Sequence, residues 1–220
     1  NRSPFQNAGV AIGNRYTTCK VKPQYSGQKA LLSDFLQPPE KIPLEFCIEP
    51  DSVKKPKGWL YQKGAKSEPR ETGDFRYNYK EGGMCFPDRL DRASRTIITH
   101  EGGAAPSRFK HVIKFKPTNE MRGKFDLDSK KVQNIRKEIN LENDEWIRRL
   151  VPVELERLSM FPDGHTAGYK DSKRAFFVGN ALVVGVIEKL SHSLAELHNR
   201  KKNSLLELME KLETERRLNE

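Results

Sequence analysis

The chain has 220 residues, room for one large or two small domains and enough to bury a real core. Hydrophobic residues are 35%, charged residues 32% and the formal net charge is +10, a balance that suits either a polyanionic partner or a well-solvated basic surface. No run approaches the roughly 20 apolar residues of a membrane span and the N-terminus carries no signal-peptide pattern; Cys19, Cys47 and Cys85 are widely spaced and the five histidines form no ligand-spaced group, so reduced thiols, no disulfide framework, no metal site and an intracellular location are expected.

Leu31, Leu32, Phe35 and Leu36 have helical spacing, with Ser26 available as a cap, and predict a short helix packed on a small sheet. The stretch from Ile42 to Val53 predicts a strand and a turn. Residues 54–92 interleave Lys and Arg with Trp59, Tyr61, Phe75, Tyr77 and Tyr79. Such a mixture serves a nucleic-acid surface, or the aromatics of a loop-rich domain filling a thin core.

Arg108 to Lys116 alternates: Phe109, His111, Ile113 and Phe115 fall on one face and Arg108, Lys110, Lys114 and Lys116 on the other. No acidic residue lies between Glu101 and Glu120. This predicts a half-buried strand whose cations, about 7 Å apart at every second residue, track a phosphate backbone. Arg89, Arg92, Arg95 and Arg108 are the candidates for reading guanine edges, although arginine more often anchors phosphates.

Residues 117–148 predict a loop and a peripheral amphipathic helix with Val132, Ile135, Ile139 and Ile147 as anchors. From Arg149 a helix starts at Pro152, with Glu154 and Glu156 near its N-terminus and Leu155 and Leu158 on its buried side. By periodicity Phe176 to Ile187, FFVGNALVVGVI, reads as two strands around a Gly-Asn turn. Beyond Leu190 the pattern is one long helix with Leu194, Leu197, Leu205, Leu208, Met209 and Leu212 on one side.

Two blocks, RLVPVELERLSMFPD (149–163) and the Gly179-Asn180 pair opening an apolar segment, together resemble the last two conserved blocks of the cytosine-5 DNA methyltransferases. The resemblance implies an α+β chain: a small twisted β-rich target-recognition domain over 1–148, then helices over 149–220 that pack on a Rossmann-like catalytic domain. It implies that Gly-Asn ends a loop and starts a helix beside S-adenosylmethionine, with Gly179, Asn180 and Ala181 at the cofactor, a placement a helix N-terminus favours for a carboxylate. Thr96-Ile97 resembles the pair that precedes the family's glycine-rich recognition loop, here Gly102-Gly103. Thr96 would then touch the backbone of the flipped cytosine and the loop would enter the major groove, its glycines bringing backbone against a base edge. Arg149, Glu154 and Arg157 are expected to be architectural. Val151 replaces the hydroxyl residue often found before the proline, which forfeits a cap of about 1 kcal/mol.

The family's chemistry needs a thiolate to attack C6 of the flipped base, an acidic group at N3 and a glycine-rich cofactor pocket. The Pro-Cys, Glu-Asn-Val and Phe-x-Gly-x-Gly motifs that supply them are not in this sequence; its cysteines follow Thr18, Phe46 and Met84. The expectation is the recognition part of a restriction-modification methyltransferase, cytoplasmic and nucleoid-associated in a bacterium. Its partners would be double-stranded DNA and a catalytic chain or domain. The alternatives are a non-catalytic DNA-binding or regulatory module and, more remotely, a restriction endonuclease subunit.

Overall fold

The computed structural model describes residues 6–73 and 75–218, with side chains along the last helix described through Lys201 and at Glu207. The chain divides into two compact units, residues 1–30 and 31–220. In the first, β1 (Ala8–Ile12) and β2 (Arg15–Cys19) form an antiparallel hairpin, turned at Gly13 with φ +57°. The Asn7 amide holds both the N–H and the carbonyl of Val21.

The second unit is α+β. Its elements are α1 (Pro50–Lys54), α2 (Trp59–Lys63), the hairpin β3 (Lys66–Thr72) and β4 (Phe75–Glu81), β5 (Val112–Phe115), α3 (Asn119–Lys124), α4 (Lys130–Glu138), β6 (Trp146–Arg149), α5 (Pro152–Leu158), α6 (Asp171–Asn180) and α7 (Val184–Leu218). The antiparallel β5–β6 ribbon pairs Val112 with Arg149 and Phe115 with Trp146. Residues of the ribbon and its surroundings form three core lobes. Val112, Trp146 and Ile147 pack with Val53, Trp59, Val132 and Ile135 in the largest. Ile113 packs with Leu32, Leu150, Leu155, Ala175 and Val178 in the second, and Ile42, Phe46, Met121 and Val151 make the third. The boundary expected at 148/149 falls inside β6.

Several local expectations are corrected. The Leu31–Leu36 helix is one 3-10 turn, Leu32–Phe35, capped by the Asp34 carboxylate accepting from the Leu31 N–H; it packs in one cluster with Leu155 of α5 and Ile113 of β5. The strand expected in 42–53 is reduced to an isolated bridge between Cys47 and Arg148, flanked by the 3-10 turn Leu44–Phe46 and by α1. Pro43 and Pro50 each remove a ladder donor and fix φ, which disfavours a longer strand. Residues 117–148 hold two short helices, capped by Thr118 and Ser129, and Ile147 belongs to β6. Far from peripheral, α4 buries Val132 and Ile135 in the largest lobe.

Helices also replace the strand reading of 176–187, with a break at 181–183 between α6 and α7. Ala175 and Val178, three apart, are the buried stripe of α6. By length and composition Asp171–Lys201 does reach what a membrane span needs, contrary to expectation. The break inside it would leave backbone polar groups unsatisfied in lipid. On α7, Leu194 and Leu197 are exposed, while Leu205, Leu208, Met209 and Leu212 lie outside the described side chains.

Candidate nucleic-acid interface and cofactor edge

The expected recognition loop lies between the 3-10 turn Thr99–Glu101 and β5. The strand expected over 108–116 is confined to Val112–Phe115 because the carbonyls before it are held by side-chain cations and not by a neighbouring strand. Lys63 Nζ donates to the Arg108 carbonyl at 2.9 Å and to that of Lys110. Lys110 Nζ turns inward onto the carbonyls of Gly103 (2.9 Å) and Ala105 (2.7 Å). Arg149 donates to Gly103 O at 3.0 Å and to Glu45 O, and Arg95 reaches the carbonyls of Phe109 and Lys110. Burial pushes both ammonium groups down to about 8, Lys63 mainly by desolvation and Lys110 by desolvation and then by the Arg149 charge.

The row of free cations on one strand face is therefore not realised. Lys110 is buried, Phe109 is half exposed, and His111 is fully buried. Lys114 pairs with Glu145 and Lys116 with Asp144, each at 2.7 Å, and Arg108 lies 3.5 Å from Glu81 while donating to the carbonyls of Gly64 and Gly82. The acids missing from the local sequence arrive from the segment before β6, which the β5–β6 register places opposite the end of β5. The Asp144-Glu145-Trp146 sequence beside an apolar strand was the signal available for this.

Arg89 pairs with Asp91, Arg95 forms a two-pronged pair with Asp88, and Arg92 and Thr96 are exposed. Gly102 lies against α6: a Cβ there would meet the Ser172 backbone at 2.9 Å. Gly103 has φ +76°, a conformation that favours glycine. In this structure the first glycine serves a close approach within the chain. Among the interleaved aromatics Trp59 is buried, whereas Phe75 and Tyr77 are exposed on the β3–β4 hairpin and Arg70 stacks over Tyr79 at 3.8 Å.

Behind the loop, buried Glu101 accepts from the His111 N–H at 2.9 Å and lies 2.6 Å from its Nδ1, while Ser94 Oγ is 3.1 Å from Nε2. The order resembles a nucleophile, base and acid. Yet His111 is 0% exposed and the Ser94 hydroxyl donates to the Arg95 carbonyl, so the chain of bonds fixes the segment leading to Thr96.

Asp88 accepts from Arg95 and from the Val112 N–H; burial alone would raise its carboxyl, but the Arg95 hydrogen bond and charge hold it below its ordinary value. For Glu156 burial likewise raises, and the hydrogen bonds from Thr166, Arg174 and Gly164 outweigh it and lower it. Carboxylates depressed in the folded state contribute stability that is complete above their unfolded values, 3.8 and 4.5, and is lost as pH falls through the lower folded ones. Stability should accordingly decline as pH falls through this range, and acid unfolding followed by near-UV circular dichroism should shift to higher pH in Asp88→Asn.

The motif helix begins with Pro152 at its first position. Val151 offers no side-chain cap, and the Glu154 carboxylate supplies the reciprocal bond, accepting from the Val151 N–H at 2.9 Å. Glu154 also takes a two-pronged pair from Arg148, at 2.6 and 2.8 Å, and the Gln37 N–H. Arg157 joins Asp163 of the Phe-Pro-Asp turn to the Phe35 carbonyl. Glu156 gathers Gly164, Thr166 and Arg174, tying the turn to α6. Sequence reading missed Arg148 and Glu156 as members of this network.

Gly179 and Asn180 close α6; they do not open the next helix. A Cβ on Gly179 would meet the Ile98 carbonyl carbon and the Thr99 nitrogen at 2.4 Å, so its lack of a side chain serves the packing of α6 on the segment after Thr96. Ala181 is exposed and borders a cleft of about 310 Å³ with Phe161, His165, Tyr169 and Phe177. Phe161 and His165 stack at 4.7 Å. Its polar contribution is limited to His165, Thr166 and Tyr169.

The three thiols differ. Cys47 is buried and its thiol is pushed up to about 12 by desolvation, while Cys19 and Cys85 are exposed. A disulfide reagent on the native protein is expected to titrate two thiols rapidly, and the third only after denaturation.

The α+β chain with a Phe-Pro-Asp turn strapped to a helix ending in Gly-Asn defines a class. The family model of the C-5 cytosine-specific DNA methylases matches residues 54–196, and the chain belongs to that family. Among curated proteins it is similar to the Type II methyltransferase M.Sau3AI of Staphylococcus aureus, 27% identical over 194 residues. That alignment covers 88% of this chain and 38% of the relative, so the chain spans well under half the relative's length. No solved structure matches the chain.

Proposed function

We propose that this chain is the DNA-recognition part of a cytosine-5 DNA methyltransferase of a restriction-modification system. It acts once joined to a catalytic part that carries the Pro-Cys nucleophile and most of the S-adenosylmethionine pocket. The observation that carries this reading is a family match over 54–196 in a sequence whose three cysteines all lie outside a Pro-Cys context. In this reading residues 1–148 serve recognition, with Thr96, Arg92 and the Gly102-Gly103 loop toward DNA. Residues 149–220 serve docking. The paired cations Arg89, Arg95, Arg108, Lys114 and Lys116 contact DNA only by exchanging carboxylates or carbonyls for phosphates. Gly179, Asn180 and Ala181 lie at the cofactor edge through the exposed break after α6, not through a helix start.

The exposed Leu182, Val183, Val184, Val186 and Ile187 support a docking face, since a contiguous apolar patch on a soluble chain marks an interaction site. The expected partner is the Rossmann-like catalytic domain, in the cytoplasm. The test is transfer of labelled methyl from S-adenosylmethionine to mixed-sequence DNA, with the chain alone and with a candidate catalytic chain. Activity only in the mixture is expected. Activity from the chain alone would place the nucleophile among Cys19, Cys47 and Cys85 and overturn the reading, while DNA binding with silence in both would favour a non-catalytic module.

A further inference from the structure

Three cationic side chains converge from inside on the segment Gly103–Lys110. Lys63, Lys110 and Arg149 are 2%, 5% and 6% exposed, and their hydrogen bonds go to the carbonyls of Arg108, Lys110, Gly103, Ala105 and Glu45. Among the described residues no carboxylate forms an ion pair with any of them. Burying a charge is costly, and carbonyl dipoles solvate it without neutralising it. Three cations without ion-pair partners therefore sit under the backbone of residues 103–110, where charge is screened less than in water; Arg149 is faced at longer range by Glu45, Asp171 and Glu101.

The start of that segment, Gly-Ala-Ala-Pro-Ser, has no long side chain, and Gly103, Ala104 and Ala105 are exposed. An anion can come close to its backbone. The same segment forms one wall of a cleft of about 670 Å³ that Lys55, Lys124 and Arg149 also line, against Glu45 and Glu49. Cations remain in excess there.

We propose that Lys63, Lys110 and Arg149 charge the Gly103–Lys110 segment from beneath and make it a phosphate-binding platform for duplex DNA. The inference rests on the DNA-recognition reading above and adds to it three positioning residues and the chemistry of the contact, which is to phosphate and not to bases. Lys63 is faced by Asp88, Arg95, Glu101, Arg108 and the Trp59 ring, and Lys110 by Glu101 and Arg149. Of these groups the two lysines are the ones brought to about 8. A bound phosphate favours their charged forms, so affinity should fall as the pH rises through about 8.

The experiment is fluorescence anisotropy of the full chain with a labelled mixed-sequence duplex, across salt and across pH values either side of about 8. Lys63→Met should weaken binding about three- to tenfold, reduce the log–log salt slope and weaken the pH dependence to what Lys110 supplies. Lys63→Arg should restore affinity while keeping only that weaker pH dependence. Wild-type binding independent of pH, or a Lys63→Met salt slope equal to wild type, overturns the platform and leaves DNA recognition intact. No binding by the wild type at low salt overturns both.

Discussion

Gly179→Ala is expected to destabilise the protein by about 3 kcal/mol, even though alanine is better than glycine in a helix by about 1 kcal/mol. The added Cβ would lie 2.4 Å from backbone atoms of Ile98 and Thr99. Backbone on both sides has no rotamer with which to yield, so α6 must lift from the segment that follows Thr96. Gly123 in α3 is the internal control, with open space where its Cβ would go; Gly123→Ala should be neutral or stabilise by up to about 1 kcal/mol. Urea unfolding of the two variants reads the difference directly. Equal midpoints would mean that helix propensity, and not close approach, governs position 179.

Truncation of Glu154 is expected to cost about 3–5 kcal/mol. Its carboxylate is 0% exposed and faces an Arg148 guanidinium that is 1% exposed, while it also takes the N–H groups of Val151 and Gln37. Glu154→Ala removes the only anion bonded to that guanidinium among the described residues and uncaps α5. The double variant Arg148→Met/Glu154→Leu should recover most of the loss, because replacing a buried pair by apolar groups is far less damaging than orphaning one partner. A double-mutant cycle by chemical denaturation checks both statements.

The two variants also separate kinds of legibility. Glu154 was readable as architecture from its place after Pro152 in the motif. Its partner was not, because Arg148 and Arg149 are adjacent on β6 and only the β5–β6 register decides which guanidinium turns toward α5 and which toward Gly103. Gly179 was readable as special but for a different reason. A Gly-Asn pair between apolar runs fits a hairpin turn, a loop and a helix end alike, and the contact that selects among them lies 80 residues earlier in the chain.

The basic strand is the clearest case of a local pattern overridden. Alternation correctly placed Ile113 in the core, and composition correctly found no acid nearby in sequence. Pairing of β5 with β6 then delivered Asp144 and Glu145 to Lys116 and Lys114, and Lys110 turned inward. Charge balance is a property of neighbours in space, and a strand's neighbours are set by partners far along the chain.

The sequence by itself determined the family, the α+β class, the α5 start at Pro152 and much of the core, since Val132, Ile135, Ile113 and Leu155 show their periods locally. Only the tertiary structure decided which cations face solvent, which carbonyls they hold, that Gly102 and Gly179 both serve the docking of α6, and that Lys63 holds the carbonyls of Arg108 and Lys110. The physical reason is range. Propensity and periodicity act within about one or two turns, while a buried charge takes its partners from whatever segments the fold brings within hydrogen-bond reach.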